Sequence, residues 1–504
     1  MGGVVAAGHP LTAEAGAQIL REGGNAVDAA IAAVLMSFVT ESPLTGPGAG
    51  GFMLVHTADG ADHLLDFFVA GPGRGLTEGA EPAALQPIDV HFSDEAVQVF
   101  NVGPSSCGVY GTTVGLAQAA RRFGTLPLGA LGASAAAAAR DGFEVTPMGQ
   151  HLFDILGPIL VSTPESAAIY APDGRLPRTG ERLRLPHLAD LLDRLGAEGP
   201  GFLYVGDVAQ AVTDWVLERG GLLTMADLAG YQVVEREPAR ARYRGRDVLT
   251  NPPPSSGGIL IAYALALLER IGRPADVRTL VDVMDQANRT RTAEFVQGLH
   301  SEGYLERFLA KEAIESAASR LGSTTHVAVL DDDGGCASVT CSNGSSSGVV
   351  VPGTGMHLNN MLGEEDLNPQ GFHLHEPGRR IPSMMAPTVV LRDGAAEVAL
   401  GSAGSNRIRS AILQTILRVV DDGLPAEQAV AAPRVHWEGR LVEAEPGIDE
   451  DGLAALEEAG WPVSRFAELS LYFGGVQAVA RDPRTGALTG GGDPRRGGAA
   501  IVVD

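Results

Sequence analysis

Residues 322–344, GSTTHVAVLDDDGGCASVTCSNG, set two threonines and a histidine at the mouth of an apolar strand that begins at Val327. Threonine is a poor nucleophile until a base comes within hydrogen-bond reach, and its own α-amino group is a compact base once the chain is cut before it. An α-amino pKa near ~7.7 to 8.0 suits that duty at neutral pH. Thr324 stands where its side chain could attack a strained peptide bond, giving an ester that water then opens. The other reading is that Ser323, Thr324 and Thr325 are polar residues that start a strand, which β-branched side chains favour. The stretch alone leaves both open.

Three further motifs are tested by context. GPGAGG, residues 46–51, fits the dinucleotide loop GxGxxG but follows a helix and enters a strand, the reverse of the order such a loop needs. GSSSG, residues 344–348, fits GxSxG, yet runs into VVVPGTG instead of a helix, so the elbow that would expose Ser346 is missing and a loop is expected. HLHE, residues 373–376, has two histidines without helical i, i+4 spacing or a third ligand, and reads as a solvated loop. No metal or organic cofactor is expected.

The elements that would carry these residues follow from periodicity. A helix from Thr12 to a Gly-Gly stop and a second over residues 25–36 open the chain, followed by a hairpin of strands over residues 52–56 and 64–68 turning at Asp59-Gly60. Residues 114–314 read mostly as helices, interrupted by a short strand before the proline-fixed loop NPPPSSGG. After Ser323 short strands alternate with Asp-Gly and Gly-Gly turns, and residues 407–423 form the main helix. Strands at both ends with helices between imply an α+β layered core joining the two ends.

Composition narrows the partners. The 504 residues suffice for a deep active site, and a hydrophobic fraction of 45% with 19% charged residues is that of a globular chain. A net charge of -24 would repel phosphate backbones and anionic lipid, so no nucleic acid and no membrane surface is expected, and a small molecule is. Cys107, Cys336 and Cys341 fit neither zinc spacing nor a disulfide scaffold and are expected to be buried free thiols. With no signal-like start and no long apolar span, a cytoplasmic location is the expectation.

Eight segments, taken together, decide the reading of Thr324. In chain order they are GGNAVDAAIAAVLMSFVTESPLTGPGAGGFML, VGLAQAARRFGTLPL, NPPPSSGG, STTHVAVLDDDG, GTGMHLNN, MMAPT, GSAGSNRI and GGGDPRRGG. In that order the sequence resembles the γ-glutamyltranspeptidase family of N-terminal-nucleophile hydrolases. The resemblance implies a four-layer αββα sandwich and a precursor that cuts itself between Ser323 and Thr324, leaving residues 1–323 as large subunit and 324–504 as small subunit. It further implies Thr324 as nucleophile, Ser342 as the hydroxyl that hydrogen-bonds it, and Gly404 with Ser405 as backbone donors to the oxyanion.

The substrate-reading half of the pattern departs from the family. Phe68 stands where an arginine would grip a γ-glutamyl α-carboxylate, Ser383 and Met384 replace paired serines, and Gly344 replaces an asparagine. Glu364, Glu365 or Asp366 would take the α-amino group, with Arg379 or Arg380 as substitute cations. The expectation is therefore a self-processing amidohydrolase or acyltransferase with an apolar acyl pocket, acting on a small amide with water or an amine as acceptor. A homo-oligomer is left open. The rival readings are a serine esterase using Ser346 and a non-enzymatic relative that binds a small molecule.

Overall fold

The computed structural model describes residues 2–77, 79–91, 97–301, 303–310 and 324–504. Among them, two antiparallel sheets lie face to face. The first orders its strands Ala499–Val503, Gly3–Ala7, Thr325–Asp331, Cys336–Ser342, Gly50–His56, Asp62–Phe67 and Val234–Arg236. The second runs Leu488–Gly492, Gly475–Arg481, Ala395–Ala403, Thr388–Arg392, Arg246–Thr250 and Ala239–Tyr243. The two ends of the sequence therefore pair in the first sheet, Gly3–Ala7 beside Ala499–Val503, whereas the second sheet takes its strands from residue 239 onward.

Strand alternation sorts the core into layers, because successive side chains point to opposite faces. On Thr325–Asp331, Ala328 and Leu330 join Val389, Ala399 and Val479 of the second sheet, whereas Val327 and Val329 join Ile31 and Val34 of the helix Ala26–Thr40. Val398, Leu400 and Val476 face outward from the second sheet onto Ile408 and Ile412 of the helix Arg407–Val420. Helix, sheet, sheet and helix follow in that order, and the chain is an αββα sandwich. Burying each such Val, Leu or Ile contributes about 1.5–3 kcal/mol, so one hydrophobic period builds both interfaces of a sheet.

Element boundaries differ from the sequence reading where side chains cap. The first helix spans Pro10–Arg21, starting earlier than Thr12 because Pro10 fits the first turn and His9 Nδ1 accepts from Leu11 N–H at 3.1 Å. The second continues to Thr40 because the apolar run does, and Asn25 with Asp28 forms its capping box. Thr292 caps a new helix, Ala293–Gly298, which follows the helix Val277–Arg289 after a short break. Cys107, Cys336 and Cys341 are free and buried. No helix among the described residues is long and apolar enough to cross a membrane.

Candidate active site

Register places the site. Thr325 pairs with Cys341 and Ser342 pairs with Gly50, so Thr324, one residue before its strand, stands across from Ser342 at the same end of the first sheet. Both are nearly buried. Even-numbered residues of this strand face the second sheet: His326 lies so close over Gly401 that a Cβ there would meet its ring at 2.3 Å. Thr324 shares that parity, which explains why a polar residue opens an apolar strand. Ser323 lies outside the described residues.

Four side chains fix the backbone around Thr324. Arg496 Nη1 donates to the Thr324 carbonyl at 3.3 Å, and Thr325 Oγ1 donates to Glu41 Oε2 at 2.6 Å. Burial pushes the Glu41 carboxyl up to about 7 and pulls the Arg496 guanidinium down to about 10. Ser342 Oγ accepts from Gly344 N–H at 2.8 Å, which turns the chain sharply after the strand. Glu41 and Arg496 sit inside the quoted segments VTESPL and DPRR, but nothing in their spacing says that they flank residues 324 and 325.

The second sheet contributes the turn at Gly404 and Ser405, between the strand Ala395–Ala403 and the helix Arg407–Val420. Gly404 has φ +117, and a Cβ on it would meet Gly474 Cα at 2.8 Å, so only glycine fits. Ser405 holds φ +50, a left-handed conformation that costs a non-glycine residue about 1–3 kcal/mol. Its hydroxyl donates to Asp366 Oδ2, which also accepts from Asn406 Nδ2 at 3.1 Å. The backbone here leads into a helix N-terminus, where partial positive charge favours a developing oxyanion.

A cavity of about 40 Å³ joins these parts in the unbroken chain, lined by Thr324, Ser342, Gly344, Ser383 and Ser405 together with apolar Phe68, Met361, Met384 and Ile408. Phe68 is stacked on Phe52 with ring centroids 5.3 Å apart. Ser383 Oγ accepts from Met385 N–H at 3.0 Å, and Met384 Sδ lies 3.3 Å from Ser256 Oγ. Gly344 has φ +68, and a Cβ on it would reach Asn360 Oδ1 at 2.1 Å, so an asparagine here would need the Asn360 and Glu364 side chains to move.

Glu364 and Asp366 line this cavity, and Glu365 does not. No arginine, lysine or histidine is among the described lining residues. Arg380 is a correction to the sequence reading: it is buried against Asp66, with Nε 3.1 Å from Oδ1, and its guanidinium covers Tyr231. Arg379 lines a neighbouring cleft with His300 and His375, which shares only Leu367 with this cavity among the described residues. His373 and His375 do not converge: His373 Nε2 bonds the Ser105 carbonyl at 2.9 Å, and His375 Nε2 bonds Asn368 Oδ1 at 3.0 Å.

Glu364 accepts from Ser345 N–H at 2.9 Å and Ser345 Oγ at 3.0 Å, yet burial, with Asp366 adding to it, pushes its carboxyl from 4.5 up to about 8. The native chain therefore binds a proton there that the unfolded chain has released. The stabilisation is complete below about pH 4.5 and is lost as pH rises through about 8. Glu364→Gln, which keeps an acceptor for Ser345, is expected to reduce the fall in urea midpoint between pH 5 and pH 8.5. An equal fall in both proteins would refute the neutral carboxyl.

Comparison with known proteins follows the same lines. The sequence model of the family described as Gamma-glutamyltranspeptidase matches residues 12–503. "Acylase ACY 1 proenzyme" of Pseudomonas sp. (strain SE83) is 34% identical over 527 residues, covering 99% of this chain and 93% of the relative. "Glutathione hydrolase proenzyme" of Escherichia coli (strain K12) is 30% identical over 541 residues, covering 98% and 90%. The crystal structure of cephalosporin acylase from Bacillus halodurans matches with a TM-score of 0.83 at 30% identity, covering 99% of this chain and 95% of that one.

Proposed function

The chain belongs to the gamma-glutamyltranspeptidase family of N-terminal-nucleophile enzymes, and from that membership we propose a self-processing acylase in which Thr324 is the nucleophile. Thr324 Oγ1 attacks the Ser323 carbonyl carbon; the C–O bond forms, the C–N bond breaks and the nitrogen takes the proton. Water then opens the ester, leaving a carboxylate on Ser323 and a free amine on Thr324. That amine accepts the Oγ1 proton when the hydroxyl attacks a substrate amide, and the proton passes to the departing amine. Backbone N–H groups at Gly404 and Ser405 take the oxyanion, Ser342 orients Oγ1, and water or an amine releases the acyl group.

The observation that carries this reading is the register that sets Thr324 across from Ser342 in a cavity shared with Ser405. The two pieces would stay joined, since Thr325–Asp331 lies between Gly3–Ala7 and Cys336–Ser342 in one sheet. Purified protein is therefore expected to run as one species in native conditions and as two bands when denatured. A single band from material with amidase activity would overturn the scheme.

For the acyl group, the reading is a neutral or amine-bearing chain and not γ-glutamyl. An α-carboxylate entering between Phe68 and Met384 meets the Asp366 carboxyl and no cation among the described lining residues. Each missing charged hydrogen bond is worth about 1.5–3 kcal/mol. Neutral acyl anilides are expected to exceed γ-glutamyl anilide in kcat/KM by on the order of tenfold or more. A preference for γ-glutamyl anilide would refute the pocket assignment.

A second reading rests on Ser346, whose Oγ contacts His357 Nε2, in the manner of a serine hydrolase pair. Ser346 is fully buried, Gly348 N–H donates to its Oγ at 3.1 Å, and His357 Nδ1 meets Tyr170 instead of a carboxylate. These contacts fit a serine that holds a loop. Ser346→Ala is expected to leave maturation intact and turnover within a few-fold, and loss of activity in mature protein would favour the esterase.

A further inference from the structure

A second, roomier cavity lies away from Thr324. A cavity of about 740 Å³ is enclosed by the helix Pro164–Tyr170, residues 182–188, the turn after the helix Ala26–Thr40, and the short strands Val350–Val351 and Met356–His357. It has no lining residue in common with the catalytic cavity. Its volume falls in the ~300–1,000 Å³ range of small-molecule sites, and the acylase chemistry has no use for it.

The lining is graded from apolar wall to polar ends. Phe38, Ile169, Leu185 and Val350 form the wall. At the inner end Thr45 is fully buried, and its Oγ1 has no hydrogen-bond partner among the described residues, a costly arrangement unless a ligand or water completes it. Tyr170 hydroxyl and His357 Nδ1 lie 3.1 Å apart beside it, both lining residues. Burial holds the His357 imidazole down to about 4, so this end is polar but uncharged at neutral pH.

The mouth has the opposite character. Arg182 and Arg184 both line it and are exposed. Each donates once to a backbone carbonyl, Arg182 Nη1 to Gly142 at 2.7 Å and Arg184 Nε to Asp141 at 3.2 Å, and neither has an ion-pair partner among the described residues. Glu165 is the one carboxylate among the lining residues. Two unpaired guanidiniums at one opening stand out in a chain of net charge -24.

We propose that this cavity is a second ligand site, taking an elongated monocarboxylate whose apolar body fills the wall and whose far end carries a hydroxyl or similar group. The carboxylate meets Arg182 and Arg184, for which planar guanidiniums are suited, and the far group completes Thr45 Oγ1. The occupant is a small molecule, because a cavity of about 740 Å³ suits one and its apolar wall ends in buried polar side chains.

Isothermal titration with 10-hydroxydecanoate, decanoate and 1,10-decanediol tests this on the full chain. One saturable site for 10-hydroxydecanoate is expected, with decanoate and the diol each weaker. The double substitution Arg182→Ala with Arg184→Ala should weaken both carboxylates about tenfold and leave the diol unchanged. Thr45→Val should erase the advantage of 10-hydroxydecanoate over decanoate. Ala168→Trp, at an exposed lining position, should block all three while amidase maturation continues. Absence of saturable binding, or binding that survives both the double substitution and Ala168→Trp, overturns the proposal. So does a dimer in light scattering that Ala168→Trp converts to monomer, which would make the cavity a subunit contact.

Discussion

Thr324→Ala is expected to yield one unbroken band on a denaturing gel and no amidase turnover, a loss on the order of 10⁴-fold or more. The size follows from the double use of one residue. Its hydroxyl makes the chain break, and the break makes the amine that later serves as base, so removing Oγ1 abolishes both steps. Thr324→Ser keeps a hydroxyl and should still mature, though slowly, because serine lacks the β-methyl that restricts χ1 in so closely filled a site. Ser342→Ala should mature and turn over more slowly without losing either reaction, since it orients and does not bond. Intact mass of the smaller band should begin at residue 324. Two bands from Thr324→Ala, or a smaller piece with another first residue, would end the assignment of Thr324.

The α+β layering was legible because strands cluster at the two ends of the sequence with helices between, and the αββα order because of the resemblance to the family. Val327 and Val329 against Ala328 and Leu330 already declare two buried faces, and two buried faces on one strand require cover on both sides. The proposed site came from the resemblance of eight segments to the family, because the stretch around Thr324 by itself fits an ordinary strand start equally well. What stayed hidden depends on contacts between distant segments. Arg380 lies next to Arg379 in sequence, yet Asp66 draws it to another face, and no local pattern reports an ion pair across 314 positions. The carboxylates after Asn360 were equally ambiguous, because a loop without periodicity does not say which side chains turn inward; Glu364 and Asp366 do and Glu365 does not. The hydroxyl of Ser405 bonding Asp366 shows one reason a left-handed serine is tolerated where a glycine would be easier.

Glu445→Ala is expected to destabilise the protein by about 3–5 kcal/mol, the range for removing one partner of a buried ion pair. The motif GGGDPRRGG sends Arg495 into the core with no exposed surface, where its Nη2 lies 2.5 Å from Glu445 Oε2 and its Nη1 lies 3.1 Å from Asp493 Oδ1. Arg434 Nη2 meets the other Asp493 oxygen at 2.7 Å, so two cations and two anions close a neutral, buried set. Removing Glu445 leaves two guanidiniums to one carboxylate, and also strips acceptors from Arg434 N–H at 2.9 Å and Ser470 N–H at 3.1 Å. Against a net stability of about 5–15 kcal/mol that is a large fraction, and the melting temperature should fall accordingly. Glu445→Gln preserves shape and some hydrogen bonds and should cost less. The effect should also reach the reaction: Arg495 precedes Arg496, which donates to the Thr324 carbonyl, so the variant should mature more slowly even at temperatures where it remains folded. A melting temperature within a degree of the parent, with maturation unchanged, would mean that this cluster neither stabilises the sandwich nor positions residue 324.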